Sequence, residues 1–259
     1  MKKRILITND DGIDAPALGH LEDAFRRVGK WVTVAPEREM SATSHSITLN
    51  RPLRYREVSS RRYAVDGTPA DCVILARMRI LGDRPDLVVS GINRGKNVGD
   101  SVLYSGTVAA AVEGVLHGVP SIAASVEYSD RMDYESAAAF TARLGQKVLA
   151  EGLPPDIVLN LNFPREWNGS VVLTRQGQRE GKSVMVENLS GHGDEYAWLQ
   201  EQLHPDTGIS NGTVPVDADV LHQGYASLTP LHLDRTSYRS IKPLSGWSDL
   251  FDTGADGDF

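Results

Sequence analysis

The sequence predicts an α/β protein: a mostly parallel sheet with helices on both faces, followed by a β-rich C-terminal appendage used in oligomerisation. Two observations predict the core. Short apolar runs of strand length alternate with stretches of helical apolar period over the first 165 residues. The runs are bounded by turn residues and read as strands buried on both faces, as expected of a parallel sheet. A third observation, the loss of this alternation after about residue 165, predicts the appendage.

The elements follow in order. Residues 4–8 form the first buried strand. The stretch 16–28 carries apolar residues at 18, 21, 25 and 28 and ends at Gly29, which makes it a helix. Trp31 to Ala35 is the next strand, stopped by Pro36. Residues 47–65 alternate but contain Pro52, so they read as short strands at the sheet margin. Thr68-Pro-Ala-Asp71 combines an N-cap, a proline at the first helical position and an acid three residues after the cap; it opens a helix over 72–81. Strands at 86–90, 120–125 and 157–161 then alternate with helices at 107–116 and 135–150. Residues 171–230 look β-rich, with long polar connections at 179–188 and 204–215, while 232–251 has no clear period. Loops of that length are unusual inside a compact domain, which points to a segment packed on a partner chain. The expected organisation is a core over 1–170 and an appendage over 171–259, with a strand near 224–230 returning to the core and a mobile tail over 252–259.

Composition narrows the function. The 259 residues are 41% apolar and 24% charged, ordinary for a globular protein. A net charge of −7 argues against non-specific binding to a nucleic acid duplex or an anionic membrane. One cysteine, Cys72, forms no intrachain disulfide, and no ligand-spaced Cys/His cluster suggests structural zinc. The apolar run behind the basic start is too short for a signal peptide, and none approaches the ~18 residues of a membrane span. A cytoplasmic location is expected.

In open α/β sheets, ligands bind outside the carboxyl ends of the strands. Three such ends carry unusual polar loops. In the first, Asp10 and Asp11 stand where the opening strand stops. Buried acids must be neutralised or given a cation. The alternative, that one acid caps the next helix and the other is solvated, is less economical than a metal site. The second loop, Glu37 to Ser46, is crowded with hydroxyls and would alone pass for an ordinary surface loop. Its His45 would ordinarily be a hydrogen-bonded structural residue, but its position groups it with the substrate-contacting candidates. The third runs from Ser90 to Thr107. Ser105 can cap the helix behind it, and Gly106 lets a ligand approach the N–H groups of a helix start, a natural phosphate site. A plain N-cap is the competing reading; Arg94, Lys96 and the preceding asparagines and glycines favour the anion. Neither a Walker A nor a Gly-x-Gly-x-x-Gly sequence is present.

Taken together, Ile5-Leu-Ile-Thr-Asn-Asp-Asp-Gly12, Ala35-Pro-Glu-Arg-Glu-Met-Ser41-Ala-Thr-Ser-His-Ser-Ile-Thr48, Gly67-Thr-Pro-Ala-Asp-Cys72, Val89-Ser-Gly-Ile-Asn93-Arg-Gly and Tyr104-Ser-Gly-Thr-Val108 closely resemble the SurE family of survival-protein phosphatases, or 5′/3′-nucleotidases. The resemblance runs to about residue 165 and returns at Gly224-Tyr-Ala-Ser-Leu-Thr-Pro230. It implies a Rossmann-like core and a divalent-metal-dependent phosphomonoesterase acting on nucleoside monophosphates, with metal ligands at Asp10, Asp11, Ser41 and Asn93. It also implies a homodimer or homotetramer that exchanges C-terminal segments and uses a projecting hairpin. Val216-Asp217 departs from the Thr-Asp that members carry, and 175–222 aligns poorly.

Such a ligand set is all oxygen, which suits one Mg²⁺ or Mn²⁺ per subunit, with Ca²⁺ a third candidate, better than zinc. Ser105, Gly106 and Thr107 would hold phosphate oxygens, with Asn97 nearby, and water would attack directly with Asp10 or Asp11 as ligand or base. An aspartyl-phosphate mechanism fits less well, because its acids usually stand one residue apart. A non-catalytic nucleotide sensor using the same cleft is the alternative function.

Overall fold

The structure is a computed structural model that describes residues 2–177, 181–189, 195–203 and 214–247. Its centre is a nine-stranded sheet. Strand β1 (Arg4–Thr8) lies in the middle, flanked by β2 (Lys30–Pro36) and β5 (Leu87–Arg94). Strands β4 (Arg62–Val65) and β3 (Tyr55–Ser59) follow beyond β2. On the other side come β6 (Ser121–Val126), β7 (Ile157–Phe163), β11 (Ala226–His232) and β8 (Val171–Leu173). All pairings from β4 through β7 are parallel; β3 on β4 and β11 on β7 are antiparallel. This is the mostly parallel α/β sheet expected from the sequence.

Helices cover both faces. Helix α1 (Pro16–Phe25) and helix α4 (Tyr134–Glu151) pack together over one face, burying Leu18, Leu21 and Phe25 against Ile5, Ile7, Val89 and Ile122. Helix α2 (Pro69–Leu75) and helix α3 (Gly106–Leu116) cover the other, where Cys72, Val73 and Ala110 meet Leu6, Val34 and Val88. The alternation of side chains along each central strand sends apolar residues to both layers, which is why these strands read as continuous apolar runs.

Several boundaries differ from the sequence reading. Helix α1 stops at Phe25, and Val28 and Gly29 instead turn back onto the Phe25 carbonyl. Helix α2 gives way to a π-helical turn over Ala76–Ile80. Residues 181–189, expected as part of a polar connection, form strand β9 (Gly181–Leu189), which pairs antiparallel with β10 (Glu195–Leu203). Their polar sequence reflects a two-stranded ribbon outside the main sheet, not a loop. Helix α5 (Asp217–His222) interrupts the stretch expected to be β-rich, and helix α6 (Tyr238–Ser245) occupies the stretch without a clear period. Most of the connection expected at 204–215, and the tail over 252–259, lie outside the described residues.

Strand β1 leads through α1 to β2 on one side of it, while β5 lies on the other. The chain therefore reverses direction between β1 and β5, and the switch point of a doubly wound sheet opens there.

Candidate metal and phosphate site

Four hydrogen bonds draw the three loops to this switch point. The Met40 N–H donates to the Asp10 carbonyl at 2.8 Å, bringing in Ser41 as the next residue. The Arg94 N–H donates to Asp11 Oδ2 at 3.2 Å, bringing Asn93 beside it. The Thr107 N–H donates to Asp10 Oδ2 at 3.0 Å, and the Thr107 hydroxyl donates to Asp10 Oδ1.

Local geometry explains why the chain can do this. Asn9, fully buried, closes a turn around the acids: its amide donates to the Gly12 carbonyl at 3.0 Å, and its Oδ1 accepts from the Gly12 N–H at 3.2 Å. Gly12 sits at φ +98°, and a side chain there would meet the Arg38 backbone at 3.1 Å. At the other loop, Gly106 matters for its missing Cβ, which would stand 2.9 Å from Asp10 Cβ and 3.0 Å from Asp10 Oδ2. Only glycine lets the start of α3 approach the acid this closely.

The two acids are in different situations. Asp10 is 4% exposed; burial raises its pKa, while the Thr107 donors lower it in part. Asp11 is less buried but lies beside Asp10 and Glu39, and burial with those charges pushes it up to about 6. Neither carboxylate forms an ion pair with a basic side chain among the described residues.

The remaining expected residues are distributed as follows. Ser41 donates its hydroxyl to Glu39 Oε1 at 2.8 Å and keeps its lone pairs. Asn93 donates its amide to the Gly95 carbonyl at 2.8 Å, which leaves Oδ1 to accept. Ser105 caps α3, its Oγ accepting from the Val108 N–H at 3.1 Å. With Thr107 engaged by Asp10, the Gly106 N–H is the donor of this first turn not already committed to a side chain. Asn97 is a scaffold for its loop. Its N–H donates to Asn162 Oδ1 at 2.7 Å, its carbonyl accepts from Asn160 and Asn162, and its side-chain amide donates to Ser125. His45 Nε2 lies 2.7 Å from Glu113 Oε2, and His117 Nε2 lies 3.0 Å from the other Glu113 oxygen. That is the bonded structural histidine of the plainer reading.

Sequence reasoning missed three residues around Asp11: Glu39, Tyr128 and Tyr134. A cleft of about 310 Å³ is lined by Asp11, Glu39, Ser41, Arg94, Tyr128 and Tyr134. The Arg94 guanidinium, read as an anion ligand, instead lies over the Tyr128 ring at 4.8 Å. Lys96 Nζ stands 4.0 Å from Glu127 Oε1. Glu39 was legible only as one of several charges; Tyr128 and Tyr134 sit after β6, far from the other loops in sequence, and carried no signal.

The donor set fits a hard divalent cation. Two insufficiently neutralised carboxylates, a hydroxyl with free lone pairs and an amide oxygen offer oxygen alone. Imidazoles and thiolates, the ligands zinc favours, are not among these donors.

Fold and site together define a doubly wound α/β protein with paired acids set against a helix start at its switch point. Comparison with known proteins makes this specific. Residues 5–183 match the family model described as Survival protein SurE. The chain is 46% identical over 246 residues to a protein described as 5′-nucleotidase SurE from Syntrophotalea carbinolica, covering 94% of this chain and 97% of that one. It is 44% identical over 254 residues to a protein of the same description from Geobacter metallireducens, with the same two coverages. The crystal structure of the SurE protein from Aquifex aeolicus matches with a TM-score of 0.82 at 38% identity, over 95% of this chain and all of that one. The chain belongs to the SurE family.

Proposed function

We propose that this chain is a 5′-nucleotidase, a phosphomonoesterase that hydrolyses nucleoside 5′-monophosphates, and 3′-monophosphates as well, to nucleoside and phosphate. One observation carries the reading: two adjacent acids, raised by burial and unpaired with any basic side chain among the described residues, stand at a strand end against the start of a helix. The description of the relatives as 5′-nucleotidases supports the substrate class. Asp10, Asp11, Ser41 and Asn93 would hold one divalent cation, Mg²⁺ or Mn²⁺ ahead of Ca²⁺, since all four offer oxygen. Bound there, such an ion supplies charge neutralisation at a phosphoryl oxygen and helps acidify an attacking water.

The chain's own residues supply the rest. Thr107 fixes Asp10 through both carboxylate oxygens, so Asp10 is the anchored acid. Asp11 lines the cleft and receives only the Arg94 N–H, which makes it the acid able to take a proton from a water entering there. The Gly106 N–H and the positive end of α3 receive phosphate oxygens. As the water oxygen bonds to phosphorus, the ester P–O bond breaks, and the departing nucleoside oxygen takes up a proton from solvent.

A homodimer or homotetramer is supported by α6, which exposes Tyr238, Ile241 and Leu244 and buries none of its residues, and by the exposed Trp247 just beyond it. No helix of the described residues is long and apolar enough to cross a membrane, and the single thiol, Cys72, is free and buried; we place the protein in a reducing cytoplasm.

The test is to assay Asp10→Asn and Asp11→Asn with adenosine 5′-monophosphate and added Mg²⁺ or Mn²⁺. Losing charge stabilisation worth several kcal/mol lowers kcat/KM at least about a hundredfold in each. Near-normal turnover in both variants would sink the proposal.

A further inference from the structure

The cleft beside Asp11 has a composition that phosphate chemistry alone does not require. Its floor is apolar, formed by Ala15, Pro16 and Ala17, and Tyr128 and Tyr134 stand at its sides. Tyr128 is half exposed. Its ring lies 4.8 Å beneath the Arg94 guanidinium, and Arg94 Nη2 donates to the Tyr128 hydroxyl at 3.2 Å. The pair is held from both ends. The Arg94 N–H is bonded to Asp11, and the Tyr128 carbonyl accepts from Arg165 Nη2 at 3.0 Å. A large aromatic ring and a guanidinium plane, ordered, partly exposed and one residue from a ligand position, form a surface for a flat heterocycle.

We infer that the Tyr128–Arg94 pair is the nucleobase platform of this enzyme and sets its preference for nucleotides over phosphate esters that lack a base. The inference rests on the nucleotidase reading. The base stacks on the exposed side of the pair while the phosphate sits at Asp10, Asp11 and the start of α3. Every base has a π face, so stacking is tolerant of sequence, and the larger purine ring covers more of the platform than a pyrimidine. The cleft volume, about 310 Å³, lies at the small end of ligand sites and suits one base with its ribose at the open edge.

The competing role for the pair is to brace the loop after β6, with no contact to substrate. The two roles separate on the ratio of kcat/KM for adenosine 5′-monophosphate to that for ribose 5-phosphate. Stacking predicts that Tyr128→Ala lowers this ratio about tenfold or more, mainly through KM for the nucleotide, and that Tyr128→Phe, which keeps the ring, retains it. Guanosine 5′-monophosphate should fall further than cytidine 5′-monophosphate. An unchanged ratio in Tyr128→Ala, or an equal loss on both substrates, overturns the platform while leaving the nucleotidase reading intact. If the wild-type enzyme hydrolyses neither substrate with any of the metals, the nucleotidase reading itself fails.

Discussion

Asp10 and Asp11 are neighbours in sequence with opposite surroundings, and the difference is set by what reaches them. Asp10 accepts two donors from Thr107; Asp11 accepts one backbone N–H and faces the charges of Asp10 and Glu39. The consequence can be read in stability. Asp11 titrates near 6 in the folded chain and near 3.8 when unfolded, so folding takes up a proton between those values. Well below pH 3.8 the group is protonated in both states and costs nothing; above pH 6 it is charged in both, and the folded state bears the repulsion. Metal-free Asp11→Asn should therefore melt at a higher temperature than wild type at pH 7.5, with a narrower gap at pH 4.5. Thermal melts in chelator at the two pH values check this, and the stabilised variant should be the inactive one. At this scale the acids were legible, because charge at the end of an apolar run demands an explanation. Thr107 was legible as part of a helix start but not as the partner of Asp10, since its N–H could have served a phosphate equally well. Nothing in the sequence paired His45 with Glu113, which lies 68 residues away on α3.

Helix α2 shows how one residue joins a helix to the chain around it. Asp71 is 1% exposed and closes the capping box, accepting from the Thr68 N–H at 2.9 Å while its own N–H donates to Thr68 Oγ1. The same carboxylate accepts from the Thr48 N–H at 2.9 Å and the Thr48 hydroxyl at 2.6 Å, and so fastens the end of the second loop. Asp71→Ala removes the cap and strands three donors, which should cost about 2–4 kcal/mol. Urea denaturation measures it, and Asp71→Asn, which keeps one acceptor oxygen, should lose less. The capping half was readable from Thr68-Pro-Ala-Asp71, since its spacing is local. The Thr48 half was not, because it depends on where a loop 23 residues away returns. The same limit explains the misread strand β9. A two-stranded ribbon apart from the main sheet is not flanked by strands on both sides, so it need not carry the apolar run of a central strand, and its sequence looks like a loop.

The whole molecule was largely visible in its first 165 residues because each parallel strand is buried on both faces and each helix on one. The order of strands was not visible, since periodicity identifies elements without saying which lie side by side. Only the pairing β2-β1-β5 creates the switch point that gathers the loops. The late segment is also the one with unsatisfied surface. Helix α6 presents Tyr238, Ile241 and Leu244 to solvent, Trp247 stands just beyond it, and the ribbon of β9 and β10 exposes Met185 and Trp198. If these surfaces join copies of the chain, Ile241→Asp with Trp247→Asp should lower the mass measured by analytical ultracentrifugation, toward the 28.2 kDa of one chain where α6 is the only contact.

The position of β11 carries a further consequence, for how the protein is made. It lies between β7 and β8 although more than fifty residues separate it from either in the chain. During synthesis, β7 emerges with its outer edge bare, and β8 follows without a neighbour to pair with. Both must wait on the ribosome until residue 232 is free. At ordinary translation rates that interval is several seconds, during which the open edge of an otherwise formed sheet is available to other nascent chains. A message truncated between residues 164 and 225 would deliver every proposed metal ligand and leave β7 without its cover.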